Sequence, residues 1–223
     1  MKILAIDTST TACSVALLID DKVHSLHEVV PMQQAQLILP MIDGLLNTAG
    51  VKLAELDALA FGCGPGSFTG VRIATSVMQG LALATQLPLI SISSLAVVAQ
   101  AAYLDLGWQK LLVVMDARMQ EVYWGAYTVN KNGLVELQGV ENVTPPELVV
   151  EPTGSDWSGV GTGWGVFQDR IVFRYENQDV TRLPMATALL PLAKEKYQKQ
   201  EWLKPEEALP VYLRDNVAKK EKR

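Results

Sequence analysis

The sequence predicts an α/β protein of two abutting lobes, each built on a βββαβαβα unit, with the second lobe reduced. Three observations carry this. Residues 2–7 (KILAID) form a short apolar run ending in Asp, and residues 111–116 (LLVVMD) repeat it. In both places further strand-like runs follow, and the first series then alternates with helical patterns. Of the 223 residues, 49% are apolar and 19% charged, which suits a packed core and excludes a largely disordered chain.

Along the chain, residues 2–7, 12–19 and 23–30 read as three strands, the last two joined by an acidic turn at Asp20 and Asp21. A helical pattern covers about 36–48, a strand 57–63, a helix 70–86 after a glycine-rich loop, a strand 87–93 and a helix 94–104. After Gly107 the series restarts with strands at 111–116, 121–129 and about 134–140. PPEL (145–148) reads as a short helix start with proline in its first turn, and WSGVGTG (157–163) as a strand entering a glycine turn. A last helix covers about 185–199, with Pro191 kinking it or marking its first turn, and the tail KKEKR (219–223) reads as frayed. The expected lobes are 1–106 and 107–223. A duplicated βββαβαβα unit is the layout of the actin, Hsp70 and sugar-kinase (ASKHA) superfamily, whose members bind nucleotide between lobes. Fold alone does not give function.

Net charge is −5 and the pI about 5.1. A chain that gripped nucleic acid alone would carry a large basic surface, so any nucleic acid served here is held mainly by another protein. The start is too short in apolar residues for an export signal, and no run approaches the roughly 20 residues that span a bilayer. A cytoplasmic protein without membrane contact is expected. Cys13 and Cys63 then read as reduced packing residues.

Two segments invite a phosphate reading. In the superfamily, an Asp ending the first strand and the turn after it approach phosphates and metal. Here the turn is Asp7, Thr8, Ser9, Thr10, Thr11, without glycine. These side chains either satisfy a tight hairpin or touch phosphate, and both readings stand. The second segment, GCGPGSFTGVR (62–72), contains Gly64, Gly66, Ser67, Thr69 and Arg72 and forces an irregular turn into a helix capped by Thr69 or Gly70. It lacks the Gly-Lys-Ser/Thr ending of a Walker loop. Arg72, placed in the first turn, works against the helix dipole and needs a partner. A carboxylate of this chain is favoured over a partner protein or a bound anion. In the second half, Asp116 and Arg118 suggest a lobe-to-lobe salt bridge, and GVGTGW (159–164) a structural turn with a packed Trp164.

IDTST near the start, GPGSFTGVRI, DARMQEVYW (116–124) and PVYLRDN (210–216) resemble the TsaB (YeaZ) family over essentially the whole chain. The resemblance implies a cytoplasmic tRNA-modification protein, paralogous to the catalytic subunit TsaD and working with TsaD and the ATPase TsaE. The reaction moves threonylcarbamoyl from threonylcarbamoyl-AMP to N6 of the adenosine beside the anticodon, in tRNAs reading codons that begin with adenine. TsaD-like proteins carry a His-x-x-x-His metal pair. This chain has only His24 and His27, three apart in a strand and so on opposite faces, and Gln34 stands where many TsaB sequences have histidine. No metal, no cofactor and no catalytic residue are expected. The alternative is a small-molecule phosphotransferase or metallo-hydrolase of the same superfamily, which would need a complete phosphate cradle and a metal-binding pair.

The partner surface is expected on the helices at 36–48 and 70–86. Their apolar residues cover about 200° of arc, roughly twice what one sheet face needs. Leu37, Met41 and Leu45 on the first helix, and Val71, Ala74, Thr75, Met78, Gly80 and Ala82 on the second, are the candidates. Ser76, Gly80 and Ala84 form a small-residue stripe. TsaD would bind there, TsaE and tRNA would join through the complex, and the chain alone would form a homodimer excluding TsaD.

Overall fold

A computed structural model describes residues 1–214. The tail at 219–223 and the last two residues of PVYLRDN lie outside the described residues.

Two five-stranded sheets form the frame. The first contains β1 (Lys2–Asp7), β2 (Ala12–Ile19), β3 (Lys22–Val29), β4 (Ala58–Gly62) and β5 (Leu89–Ile92), in the order β3-β2-β1-β4-β5. The second contains β6 (Lys110–Asp116), β7 (Val122–Val129), β8 (Val135–Thr144), β9 (Ser158–Val160) and β10 (Gln178–Asp179), in the order β8-β7-β6-β9-β10. The orders match strand for strand. In each sheet the first three strands are antiparallel, and the first, fourth and fifth run parallel. This is the duplicated ASKHA layout. The second copy is worn down: where α1 (Gln34–Ala49) stands in the first, the second has a 3₁₀ turn at Pro146–Leu148. Where α2 (Phe68–Thr85) stands, it has the four-residue α4 (Gly163–Val166). The two-residue β10 carried no legible alternation in the sequence.

Burial explains the helices. α1 buries Gln34, Ile38, Met41, Ile42, Leu45 and Leu46, the spacing of one helical face, and ends on left-handed Gly50. Pro40 lies on its solvent side, where the carbonyl it leaves unpaired can meet water. α2 buries Gly70, Val71, Ala74, Thr75, Met78 and Ala82. Both helices pack on the face of the first sheet formed by Leu4, Ile6, Val15, Leu17, Leu59 and Phe61.

The opposite face of that sheet meets α3 (Ser94–Leu106) and α5 (Ala186–Gln198), which pack on each other, and α3 also packs on β6, β7 and β8. These two helices form a layer between the sheets. α3 is accordingly apolar almost all round, as a helix buried on both sides must be. α5 comes from the second half yet packs chiefly on β1, β2 and β4 of the first. The Ser14 hydroxyl of β2 accepts the Ala186 N–H at 2.9 Å and fixes where α5 starts. Pro191 is the sixth residue of α5, inside the helix rather than in its first turn. The outer face of the second sheet is closed by Trp164, Phe167 and Ile171. Trp164 is buried, donates its ring N–H to the Leu112 carbonyl at 3.1 Å, and meets Phe173 and Tyr175 edge-on.

The middle layer should make the two sheets one cooperative unit. Leu189→Ala, at a fully buried position of α5, should cost about 2–5 kcal/mol. Urea unfolding followed by tryptophan fluorescence (second half) and far-UV dichroism should shift together, in a single transition.

Candidate functional site

The first hairpin closes on itself. One Asp7 carboxylate oxygen accepts the Ser9 N–H at 2.8 Å and the Ser9 hydroxyl at 2.7 Å, and the other accepts the Ser94 hydroxyl at 3.3 Å. Asp7, Thr8 and Ser9 are all buried. Burial raises the Asp7 carboxyl to about 6, against the pull of these hydrogen bonds.

The glycine loop then sits on the hairpin. Ser67 donates its N–H to the Ser9 carbonyl at 2.7 Å, and the Thr8 hydroxyl donates to the Gly70 carbonyl at 2.7 Å. A Cβ on Gly66 would stand 2.4 Å from the Ser9 carbonyl oxygen, and one on Gly70 2.0 Å from that of Thr8. These glycines therefore serve backbone-to-backbone contact within the chain. The Gly64 carbonyl accepts the Ser94 N–H at 2.8 Å and ties the loop to the start of α3. Of the two readings of Asp7, Thr8 and Ser9, the geometry is that of the satisfied hairpin.

Several expectations need correction. The cap of α2 is Ser67, whose hydroxyl accepts the Gly70 N–H at 3.4 Å, while Thr69 is exposed. Arg72 lies beyond the first turn and has no carboxylate partner among the described residues. Its guanidinium lies 3.4 Å over the Phe68 ring and 5.3 Å from that of Tyr212. Ring and cation from one helix, plus a second ring from far along the chain, replace the expected ion pair. The Arg118–Asp116 pair, at 3.1 Å, is local to the β6–β7 turn and does not join the lobes.

Most of the expected interface residues also face inward. Met41, Leu45, Val71, Ala74, Thr75, Met78 and Ala82 are buried in the chain's own core, so they face the first sheet. Leu37 is half-buried and Gly80 exposed. The outward side of α2 carries Phe68, Thr69, Arg72, Ser76, Gly80 and Leu83. Between α1 and α2 lies an open groove of about 370 Å³, lined by Ala35, Phe68, Arg72, Ile73, Ser76 and Val77. The wide apolar arcs are used up inside the chain, because each helix is covered by its neighbour as well as by the sheet.

Sequence reasoning passed over a polar cluster at the start of α3. Glu141 of β8 accepts from the Ser93 and Tyr127 hydroxyls, and burial raises its carboxyl. Cys63 is close by, a free thiol that burial pushes up to about 12. Cys13 is likewise free and buried. Gln34 donates to the Thr10 carbonyl at 2.8 Å, bracing the hairpin. Among the described residues, no group of three His, Cys, Asp or Glu side chains could hold a metal ion, and no helix is long and apolar enough to cross a membrane.

Comparison with known proteins agrees with this layout. Residues 28–222 match the family model described as TsaD: tRNA N6-adenosine threonylcarbamoyltransferase. The tRNA threonylcarbamoyladenosine biosynthesis protein TsaB of Escherichia coli K12 is 43% identical over 98% of this chain and 96% of its own. The chain belongs to the TsaB family. The TsaB protein of Haemophilus influenzae is 37% identical over 97% of this chain and 95% of its own. The solved structure of YeaZ from Pseudomonas aeruginosa superposes with a TM-score of 0.93 at 49% identity, covering 95% of this chain and 99% of that one.

Two measurements test the site. Gly70→Ala should destabilise the protein by about 1–3 kcal/mol or more, because backbone must move. Gly80→Ala, whose Cβ meets nothing within 4 Å, should stabilise it by about 0.5–1 kcal/mol. The Asp7 carboxyl is raised from 3.8 to about 6 on folding. Its contribution is fully present below about pH 4 and is lost as pH rises through about 6. Asp7→Asn is neutral throughout, so its stability relative to the parent should improve by roughly 2–3 kcal/mol between pH 4 and 7.5. A pH-independent difference would show that Asp7 stays ionised when folded.

Proposed function

We propose that this chain is the non-catalytic subunit that supports a TsaD-type transferase in the cytoplasm. With TsaD and TsaE it serves transfer of threonylcarbamoyl from threonylcarbamoyl-AMP to N6 of the adenosine beside the anticodon, in tRNAs reading codons that begin with adenine. The family match supports the pathway. The occupied hairpin supports the non-catalytic part: the Asp7 carboxylate, the Thr8 hydroxyl and the Ser9 backbone, the groups a nucleotide-binding relative would offer, are already engaged by Ser9, Ser94, Ser67 and Gly70. The net charge of −5 fits a role in which tRNA is held through the complex.

On this reading the chain has lobes at 1–106 and 107–223 and meets TsaD through the outward side of α1 and α2. The groove beside Arg72 and the exposed Gly80 support that face. Without TsaD the same face pairs with a second copy, so homodimer and heterodimer exclude each other.

Omission assays test the function. Purified chain, TsaD, TsaE, tRNA and threonylcarbamoyl-AMP together should give modified adenosine, and leaving out this chain or TsaD should abolish it. Modification by this chain alone would sink the reading. ATP hydrolysis at a useful rate by the chain alone would instead favour a phosphotransferase. For the interface, Gly80→Leu should weaken both the homodimer and TsaD binding at least tenfold in sedimentation, with the fold kept, since nothing lies within 4 Å of its Cβ. Unchanged association of both kinds would move the interface elsewhere.

A further inference from the structure

The last described segment, Leu203 to Arg214, runs along the first half and ends on the second. Leu203 exchanges backbone hydrogen bonds with Leu89, at 2.7 and 3.2 Å, closing the free edge of β5. The Gln79 side-chain amide of α2 donates to the Pro205 and Ala208 carbonyls at 3.0 and 2.8 Å. Val211 donates its N–H to the Cys63 carbonyl at 2.8 Å, where the glycine loop begins. The Tyr212 ring lies 6.1 Å from that of Phe68, at the start of α2. Arg214 then crosses to the β6–β7 turn. It donates to the Glu121 carboxylate at 2.9 and 2.6 Å, to the Ala117 and Arg118 carbonyls at 3.1 and 3.4 Å, and to the Met119 sulfur at 3.3 Å.

The turn it grips is unusual. Arg118, Met119 and Gln120 have φ of 60, 53 and 65°. Three consecutive side-chain-bearing residues in the left-handed region are disfavoured by crowding of Cβ against the carbonyl, and such a run persists where its surroundings impose it. Local bonds give part of that: the Asp116 carboxylate accepts the Arg118 N–H at 2.8 Å, and Glu121 donates its N–H to the Arg118 carbonyl at 3.0 Å. The non-local part is the Arg214 fork, which holds two carbonyls and a carboxylate of the turn at once. A planar guanidinium with fixed donors can do this and an ammonium cannot.

We propose that Leu203–Arg214 is a clasp between the halves, through which the left-handed turn at 118–120 and the glycine loop with the start of α2 hold one another in place. Arg214 is its positioning residue, and the Tyr212–Phe68 contact is its anchor on the first half. Because coupling is reciprocal, a partner that displaces Tyr212 from Phe68 loosens the turn, and a partner that seizes the turn loosens the loop.

Hydrogen exchange on the full chain tests this. The amides of Ser67, Val71 and Ser94 report on the loop and helix starts, and none is bonded to Arg214. The amides of Ala117 and Glu121 report on the turn, and none is bonded to Phe68. Arg214→Ala should speed exchange at least threefold in both sets. Phe68→Ala, at an exposed ring, should speed the turn amides at least threefold as well. Arg214→Lys, which keeps the charge and loses the fork, should fall between parent and Arg214→Ala. Should Arg214→Ala fail to fold, Arg214→Lys and Phe68→Ala carry the same comparison. If each folded variant speeds only the amides beside its own substitution, the clasp is refuted.

Discussion

The carbonyl oxygens of Thr8 and Ser9 hold the glycine loop at a distance no side-chain-bearing residue could match at positions 66 and 70. Much of the first half follows from that contact. It sets where α2 begins, and so which of its residues meet the sheet. It puts Ser67 in place to cap the helix and aims Phe68 and Arg72 outward. It also brings the loop carbonyls of Cys63 and Gly64 within reach of Val211 and Ser94, which link the loop to the end of the described chain and to the layer between the sheets. Close-packed backbone leaves no room for slow drift of such a junction, so its parts keep or lose their geometry together.

The two hairpins that the repeat makes equivalent start alike and are held differently. In each, the Asp ending the first strand accepts the N–H two residues on: Ser9 for Asp7 and Arg118 for Asp116, both at 2.8 Å. The first hairpin then disappears under its own loop. The second stays at the surface and is held from outside by Arg214. Duplication thus preserved a local turn device while the burial around it diverged, as expected when each copy need only satisfy its own backbone groups.

Most of the frame was legible because period and burial agree. The strand runs at 2–7 and 12–19 are apolar on both sides and are covered on both. α3 was legible as a helix, and its lack of a polar face fits the middle position that only the structure shows. The string at 62–72 was rightly singled out, but its use was not readable, because the groups it touches lie about 60 residues upstream. Arg72 illustrates the limit: a search for carboxylates overlooks a cation resting on rings, one of them at position 212. Seven of the nine interface candidates proved buried for a related reason. Angular arc on an isolated helix counts apolar residues and says nothing of how two neighbouring helices share one sheet.

α5 supplies part of the cover for the inner face of the first sheet from residues 186–198. On a ribosome, every strand of that sheet has emerged about a hundred residues before this cover exists. Through that interval Ile3, Ala5, Ala16 and Ala60 lack that cover, and the face stays partly wet. The nascent first half is therefore a species with an apolar opening shaped for one particular helix, and the arrival of residues 186–198 decides when it closes.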